Sequence, residues 1–301
     1  MSDRVDTDAL AELRPHAFAI AYRMLGTVAD AEDVVQEAML RTQRTLADGE
    51  RIDSLRAYLA TVVTRLAIDQ LRSARRRREQ YVGEWLPEPL LTAAPQNPPA
   101  ESAELADSLS VALLIVLESL TPQQRAAFLL RDVFDYPYDE VAAIVGTSEE
   151  NARQLAARAR RAVEAGRPRF EASREARERL ADRFFAAALE GDLEGLERLL
   201  ADEVVLHGDG GGKVPALARP VGGAARVART LKAWVAAGRR VGPIRLRRTE
   251  INGQPGALIL DATGRPTGAM ALQIGAGRIE AIHSIVNPDK LAHLPEAPEV
   301  A

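Results

Sequence analysis

Asparagine, glutamine and arginine are the side chains that grip base edges with paired hydrogen bonds. They crowd one short stretch, as Asn151, Arg153, Gln154, Arg158 and Arg161. A second concentration is cationic: Arg65, Arg72, Arg75, Arg76, Arg77 and Arg78 are opposed there only by Asp69, which suits contact with phosphates. A third is acidic, with Asp30, Glu32, Asp33 and Glu37 beside Gln36, a charge pattern that suits the helix dipole and also fits a docking surface. Acid–base catalysis has less to work with. His207, Asp209 and His283 are the candidates because imidazole titrates near neutrality, yet no second clear pair accompanies them. The chain has no cysteine, which excludes disulfides, thiol catalysis and cysteine-based zinc sites.

Helical periodicity positions these residues. Thr121-Pro122 opens a helix with a capping hydroxyl and a first-turn proline, and Tyr136-Pro137 interrupts it. A short helix, DEVAAIVG, stops at Gly146, and Thr147 or Ser148 caps the long helix that follows. On that helix Ala152, Leu155, Ala156, Ala159 and Val163 share the face to be buried. Gln154, Ala157, Arg158 and Arg161 lie opposite, flanked by Arg153 and Arg160. This is helix-turn-helix grammar, in which the second helix enters the major groove. Ahead of it, Leu10 to Met24 and Ala29 to Arg44 read as two helices. Ser54 to Gln80 reads as one long helix ending in the arginine run. Tyr81 to Pro99 is proline-rich and cannot be a continuous helix, but Trp85, Leu86, Leu90 and Leu91 are too apolar for a plain spacer. A net charge of −4 argues against a nucleic-acid binder only until the two basic segments are separated from the rest.

DAEDVVQEA followed by SLRAYLATVVTRLAIDQLRSARRRRE resembles domain 2 of an extracytoplasmic-function (ECF) sigma factor, and the Leu120 to Val163 stretch resembles domain 4. The resemblance implies that Asp30, Asp33, Gln36 and Glu37 contact core RNA polymerase through its β′ coiled coil. It places Arg65, Asp69, Arg72 and Arg75 to Arg78 in the −10 segment, and Asn151, Arg153, Gln154, Arg158 and Arg161 in the −35 reader. Met39 departs from the pattern, standing where an aromatic is common. After Arg169, helical runs give way to strand-like segments at Val204–Leu206, Ile244–Ile251, Ala257–Asp261, Gly268–Ile274 and Arg278–Val286. This α+β order, read as helices followed by a curled antiparallel sheet, is similar to a SnoaL-like (NTF2-like) cone. Trp85-Leu86-Pro87-Glu88-Pro89, Asp209-Gly210-Gly211-Gly212-Lys213 and Asn287-Pro288-Asp289-Lys290 resemble the three signature pieces of the ECF41 (SigJ-like) group, whose members carry such a fused cone.

The expected architecture is therefore multidomain, with two all-α sigma domains and a C-terminal α+β cone. Residues 1–82 form sigma2, 83–107 a linker, 108–168 sigma4, 169–291 the cone and 292–301 a flexible tail. The implied partners are the β′ and β subunits of core polymerase and promoter DNA, with a small ligand of the cone left open. No separate anti-sigma factor, no cofactor and no metal are expected. MSDRVDTD is no signal peptide and no apolar run reaches membrane-spanning length, so a cytoplasmic protein without a membrane partner is expected. WLPEP is expected to dock near DGGGK or NPDK. Two other readings compete: a cyclase- or isomerase-type enzyme fused to a DNA-binding unit, and an operator-binding repressor. The repressor reading leaves the acidic helix and the arginine helix without a use.

Overall fold

The computed structural model describes residues 9–78, 81–92, 108–166 and 173–296; side chains 74–78, 166 and 241 are not described. The chain divides into two compact units, Met1–Gln80 with Leu113–Arg167, and Tyr81–Ala112 with Pro168–Ala301.

The first unit is all helix. α1 (Arg14–Leu25) ends at left-handed Gly26, and α2 (Val28–Ala47) and α3 (Leu55–Arg78) pack against it. α4 (Val111–Glu118) leads to α5 (Pro122–Phe128), which opens with a full capping box. Thr121 Oγ1 accepts from the Gln124 backbone N–H, and Gln124 Oε1 accepts from the Thr121 N–H, which satisfies two first-turn donors. α5 runs on into a single π turn, Leu129–Val133. α6 (Tyr138–Val145) stops at Gly146 with φ 74°, the left-handed cap that only glycine takes without a Cβ penalty. α7 (Glu149–Gly166) then begins with Ser148 Oγ accepting from Asn151 N–H at 3.2 Å.

The two helical segments pack within one compact unit. Buried Arg125 joins them: its guanidinium donates to the Leu117 and Met24 carbonyls at 2.8 and 2.6 Å and pairs with Glu118 at 2.7 Å. Burial pulls its pKa down to about 9. A buried guanidinium is tolerable only with such a full set of acceptors.

The second unit is the α+β cone. α8 (Arg174–Glu190) and α9 (Leu193–Leu199) precede β1 (Leu200–Asp209); β2 (Val221–Gly222) and α10 (Ala224–Val241) follow. Then come β3 (Arg245–Ile251), β4 (Gln254–Leu260), β5 (Pro266–Gly275), β6 (Arg278–Ile285) and the short α11 (Pro288–Leu291). The six strands lie in the order β2-β1-β6-β5-β4-β3. Phe184, Leu196, Leu206, Ala228, Leu272 and Ile282 meet in the core between helices and sheet.

Three expectations need correction. The sheet is not wholly antiparallel, because β1 and β6 pair in parallel; α10 and the β3–β5 meander form the crossover that parallel pairing requires. β4 begins at Gln254 rather than Ala257, because Asn252 and Gly253, with φ 53° and 69°, make a two-residue hairpin turn of the kind that matches strand twist. The segment after 291 is not simply a tail: Leu294 is buried and His293 Nε2 hydrogen-bonds the Pro89 carbonyl at 2.8 Å. Residues 297–301 lie outside the described residues.

Candidate functional site

α7 is sorted by its apolar stripe. Ala152, Ala156, Ala159 and Val163 are buried, while Gln154, Arg158 and Arg161 are exposed. The other proposed readers are engaged within the unit. Arg153 pairs with Glu149 and stacks on Tyr138 at 4.4 Å, and Asn151 Nδ2 donates to Thr147 Oγ1 at 2.7 Å. Flanking Arg160 pairs with Asp132.

The acidic helix divides in the same way. Asp30 is part-buried and accepts from Thr27 Oγ1 and Gln70 Nε2, both at 2.7 Å, so it ties α2 to α3. Asp33 and Gln36 are exposed, and Glu37 pairs with Arg41 at 2.7 Å. Leu40, overlooked in the sequence, continues that face and is 41% exposed. The available signal was that it falls off the buried stripe of α2.

On α3, Asp69 and Arg72 are exposed and pair with one another at 3.2 Å. Arg65 donates instead to the Ile144 and Ala143 carbonyls at 3.1 and 2.9 Å, closing the C-terminal end of α6, where a cation complements the helix dipole. The side chains of Arg75, Arg76, Arg77 and Arg78 lie outside the described residues.

The densest site is in the second unit, where the three separated motifs converge. β1 ends at Asp209, which is fully buried. Its Oδ1 accepts from the Tyr81 hydroxyl at 2.5 Å and the Gly211 N–H at 3.0 Å; its Oδ2 accepts from the Leu86 N–H at 2.8 Å and pairs with Lys290 Nζ at 2.6 Å. Lys290 also donates to the Leu86 carbonyl and sits over the Tyr81 and Trp85 rings at 4.9 and 4.3 Å, which adds cation–π attraction. Burial and the neighbouring Asp209 carboxylate raise the pKa of Tyr81, so its hydroxyl stays a donor. Asn287 caps α11 through Asp289 N–H and donates to the Tyr81 oxygen at 2.8 Å.

The glycines are there for space. A Cβ on Gly211 (φ 61°) would meet Asn287 Nδ2 at 2.3 Å, and one on Gly212 (φ 70°) would meet Val82 at 2.9 Å. A Cβ on Gly210 would meet the Val214 carbonyl oxygen at 2.4 Å. Lys213 and Asp289 pair at 2.5 Å on the rim, each more than half exposed, where an ion pair adds little.

Leu86, Pro87, Glu88 and Pro89 are buried by this arrangement. Beyond them Leu90 N–H donates to Asn252 Oδ1 and the Leu90 carbonyl accepts from Asn252 N–H. Leu91 bridges Ile251 antiparallel, and Thr92 N–H donates to the Glu250 carbonyl at 3.1 Å. Residues 81–92 thus form a strap that crosses one end of the sheet and adds to the free edge of β3.

The acid–base candidates make contacts within the second unit. His207 and His283 stack 5.1 Å apart on adjacent strands, and His207 Nδ1 meets Glu84 Oε1 of the strap at 2.7 Å. Burial, reinforced by His207, lowers His283 to about 3. Asp209 is fully buried and enclosed by four partners. No group of three or more potential metal ligands occurs among the described residues.

Comparison with known proteins agrees with this division. The Sigma-70 region 2 family model matches residues 10–77, and the Sigma-70, region 4 model matches residues 110–163. ECF RNA polymerase sigma factor SigJ of Mycobacterium tuberculosis is 41% identical over 293 residues, covering 94% of this chain and 92% of the relative. Probable ECF RNA polymerase sigma factor SigI of the same species is 34% identical, covering 92% of each. The crystal structure of the M. tuberculosis SigJ superposes with a TM-score of 0.75 at 38% identity, covering 95% of this chain and 98% of that one.

Proposed function

The chain belongs to the ECF RNA polymerase sigma factors, with a fused SnoaL-like cone, and from that membership we propose how its surfaces divide the work of transcription initiation. The exposed face of α2, with Asp33, Gln36, Glu37 and the apolar Leu40, meets core polymerase at β′, with further contacts to β. Asp30 supports that face from within. α3 serves the −10 element through Arg72, Asp69 and the Arg75 to Arg78 run. Arg65 joins them once it leaves the α6 carbonyls. α7 enters the major groove at −35 through Gln154, Arg158 and Arg161. Asn151 and Arg153 first exchange the intramolecular partners they hold.

The observation that carries this reading is the clean partition of α7: a buried alanine stripe with Gln154, Arg158 and Arg161 opposite. Replacing a groove-facing cation with an anion loses a contact worth about 1–3 kcal/mol and adds repulsion. Arg158→Glu is therefore expected to abolish promoter-directed run-off transcription with core polymerase and to leave core binding in a pull-down unchanged. Undiminished transcription by the variant would sink the assignment of α7.

The strap extends the proposal to regulation. Residues 81–92 of the segment that joins region 2 to region 4 belong to the C-terminal unit, so the cone sets how much of that stretch is free. A tethered contact sees an effective concentration on the order of millimolar. An attached regulator of this kind stands in for a separate anti-sigma factor, and the protein acts in the cytoplasm beside its polymerase. Among the described residues no helix is long and apolar enough to cross a membrane.

A further inference from the structure

Over its 18 residues α10 of the cone carries Arg226, Arg229, Lys232, Arg239 and Arg240 and no acid. The chain as a whole has a net charge of −4, so this helix runs against the overall composition. At 3.6 residues per turn these cations fall on one arc. All of them are exposed, whereas Val227, Ala228 and Leu231 on the opposite side are buried in the core.

Elsewhere an acid three or four residues away answers a helical arginine, as in Glu37–Arg41, Asp69–Arg72 and Glu149–Arg153. In α10 the corresponding places beside Arg229, Lys232 and Arg240 hold Ala225, Ala233 and Ala236. Arg239 donates to the Leu189 carbonyl at the end of α8, where a cation suits the helix dipole. The other four side chains make no hydrogen bond or ion pair among the described residues. Position does not account for them all: Arg226 stands in the first turn of α10, where the dipole disfavours positive charge.

Charge and spacing select the partner. A lipid surface takes up a basic helix through its apolar face, and that face of α10 is already packed in the core. Duplex DNA instead presents phosphates along both rims of a groove. From Lys232 to Arg240 the helix advances about 12 Å, and the major groove of B-DNA is about 12 Å wide. Arg226, Arg229 and Lys232 can therefore reach one rim while Arg240 reaches the other. Between them the exposed Ala233, Ala236 and Ala237 leave room for close approach and carry no group that reads a base edge.

We propose that the outer face of α10 is a sequence-independent contact to the phosphate backbone of duplex DNA. It rests on the sigma-factor reading only for why a duplex is at hand; the contact itself needs no promoter.

The full-length chain is titrated by fluorescence anisotropy with a labelled random-sequence DNA duplex, several helical turns long, across a salt series. Each phosphate contact contributes about 0.9 to the slope of log affinity against log salt. Combining Arg226→Gln, Arg229→Gln and Lys232→Gln is expected to flatten that slope by about 2–3 and to weaken binding about tenfold or more at low salt. Ala236→Glu is the second variant. It keeps every cation but sets a carboxylate four residues from both Lys232 and Arg240, a spacing that supports the helix. It is expected to weaken the duplex several-fold with thermal stability unchanged, which keeps the test valid should the triple variant fold poorly. Duplex RNA and phosphatidylglycerol vesicles are titrated alongside. No binding of random duplex DNA by the unaltered chain, or an unchanged slope in the variants, overturns the contact. Equal losses on duplex RNA, or a loss confined to the vesicles, overturns the choice of partner. If promoter-directed transcription persists in full while the slope stays unchanged, this contact alone fails. A flattened slope without any promoter-directed transcription leaves the contact standing and sinks the sigma-factor reading.

Discussion

Asp209 and Lys290 form a buried pair whose halves are unequally replaceable. Without Lys290, the Asp209 carboxylate keeps three donors: the Tyr81 hydroxyl and the Leu86 and Gly211 N–H groups. Without the carboxylate charge, the Lys290 ammonium keeps one carbonyl and two ring faces. Breaking a buried pair and stranding one charge costs about 3–5 kcal/mol. Asp209→Asn is thus expected to lower stability by about that much, and Lys290→Met by distinctly less. Urea unfolding followed by tryptophan emission measures this directly, because Trp85 and Trp234 both lie in the second unit. A larger loss in Lys290→Met than in Asp209→Asn would show that the ammonium, not the carboxylate, organises the site, and equal losses would remove the asymmetry.

His283 adds a pH dependence to the same unit. It is held neutral down to about 3, whereas an unfolded histidine takes a proton near 6.5. The unfolded state therefore binds more protons between these values, and stability falls as pH falls through that window. The slope from this one group approaches about 1.4 kcal/mol per pH unit. His283→Phe, which preserves a ring beside His207, is expected to flatten that part of the stability profile between pH 6 and 4. A variant with an unchanged slope would assign the acid sensitivity elsewhere.

At the scale of elements, α2 shows why neighbouring acids carry different meanings. Asp30 and Asp33 stand three residues apart, yet one bridges two helices and the other is exposed. Asp33→Arg is expected to weaken binding to core polymerase and leave thermal stability unchanged. Asp30→Ala should lower stability by about 1 kcal/mol, the scale of a lost helix-end hydrogen bond. A pull-down paired with a thermal melt separates the two, and loss of core binding with Asp30→Ala alone would reverse their roles. α7 follows the same logic, since small alanines on its inner face let it approach α5 closely and leave its long polar residues outside.

The whole molecule raises the question of what the strap does for transcription. Trp85, part-buried, contributes a ring to the Lys290 cage, and partial burial of an aromatic side chain stabilises by less than the roughly 3 kcal/mol of full burial. Trp85→Ala is expected to release residues 81–92, seen as faster cleavage after Glu84, and to change promoter-directed transcription by the full-length protein. If cleavage accelerates and transcription does not move, the cone binds the strap without regulating initiation.

The sequence by itself determined whatever depends on local grammar. Thr121-Pro122, Gly146 and the alanine stripe of α7 specified the helix-turn-helix, because capping and amphipathic periodicity are properties of adjacent residues. WLPEP could be singled out from the chain alone, because its apolar side chains contradict a solvated spacer, whereas DGGGK and NPDK stood out as a set only through resemblance to a known group. Tertiary structure decided the rest. The β1–β6 pairing is parallel because of a long crossover that no local pattern encodes. The hairpin at Asn252-Gly253 disguised the start of β4 because Pro255 and Gly256 resemble turn residues. The partners of Asp30, Arg65 and Arg153 lie across helices or a helical turn away, so their charges looked alike in the sequence and differ in the fold. Leu40 lies off the buried stripe of α2, but the fold was needed to show that no neighbouring helix of its unit covers it.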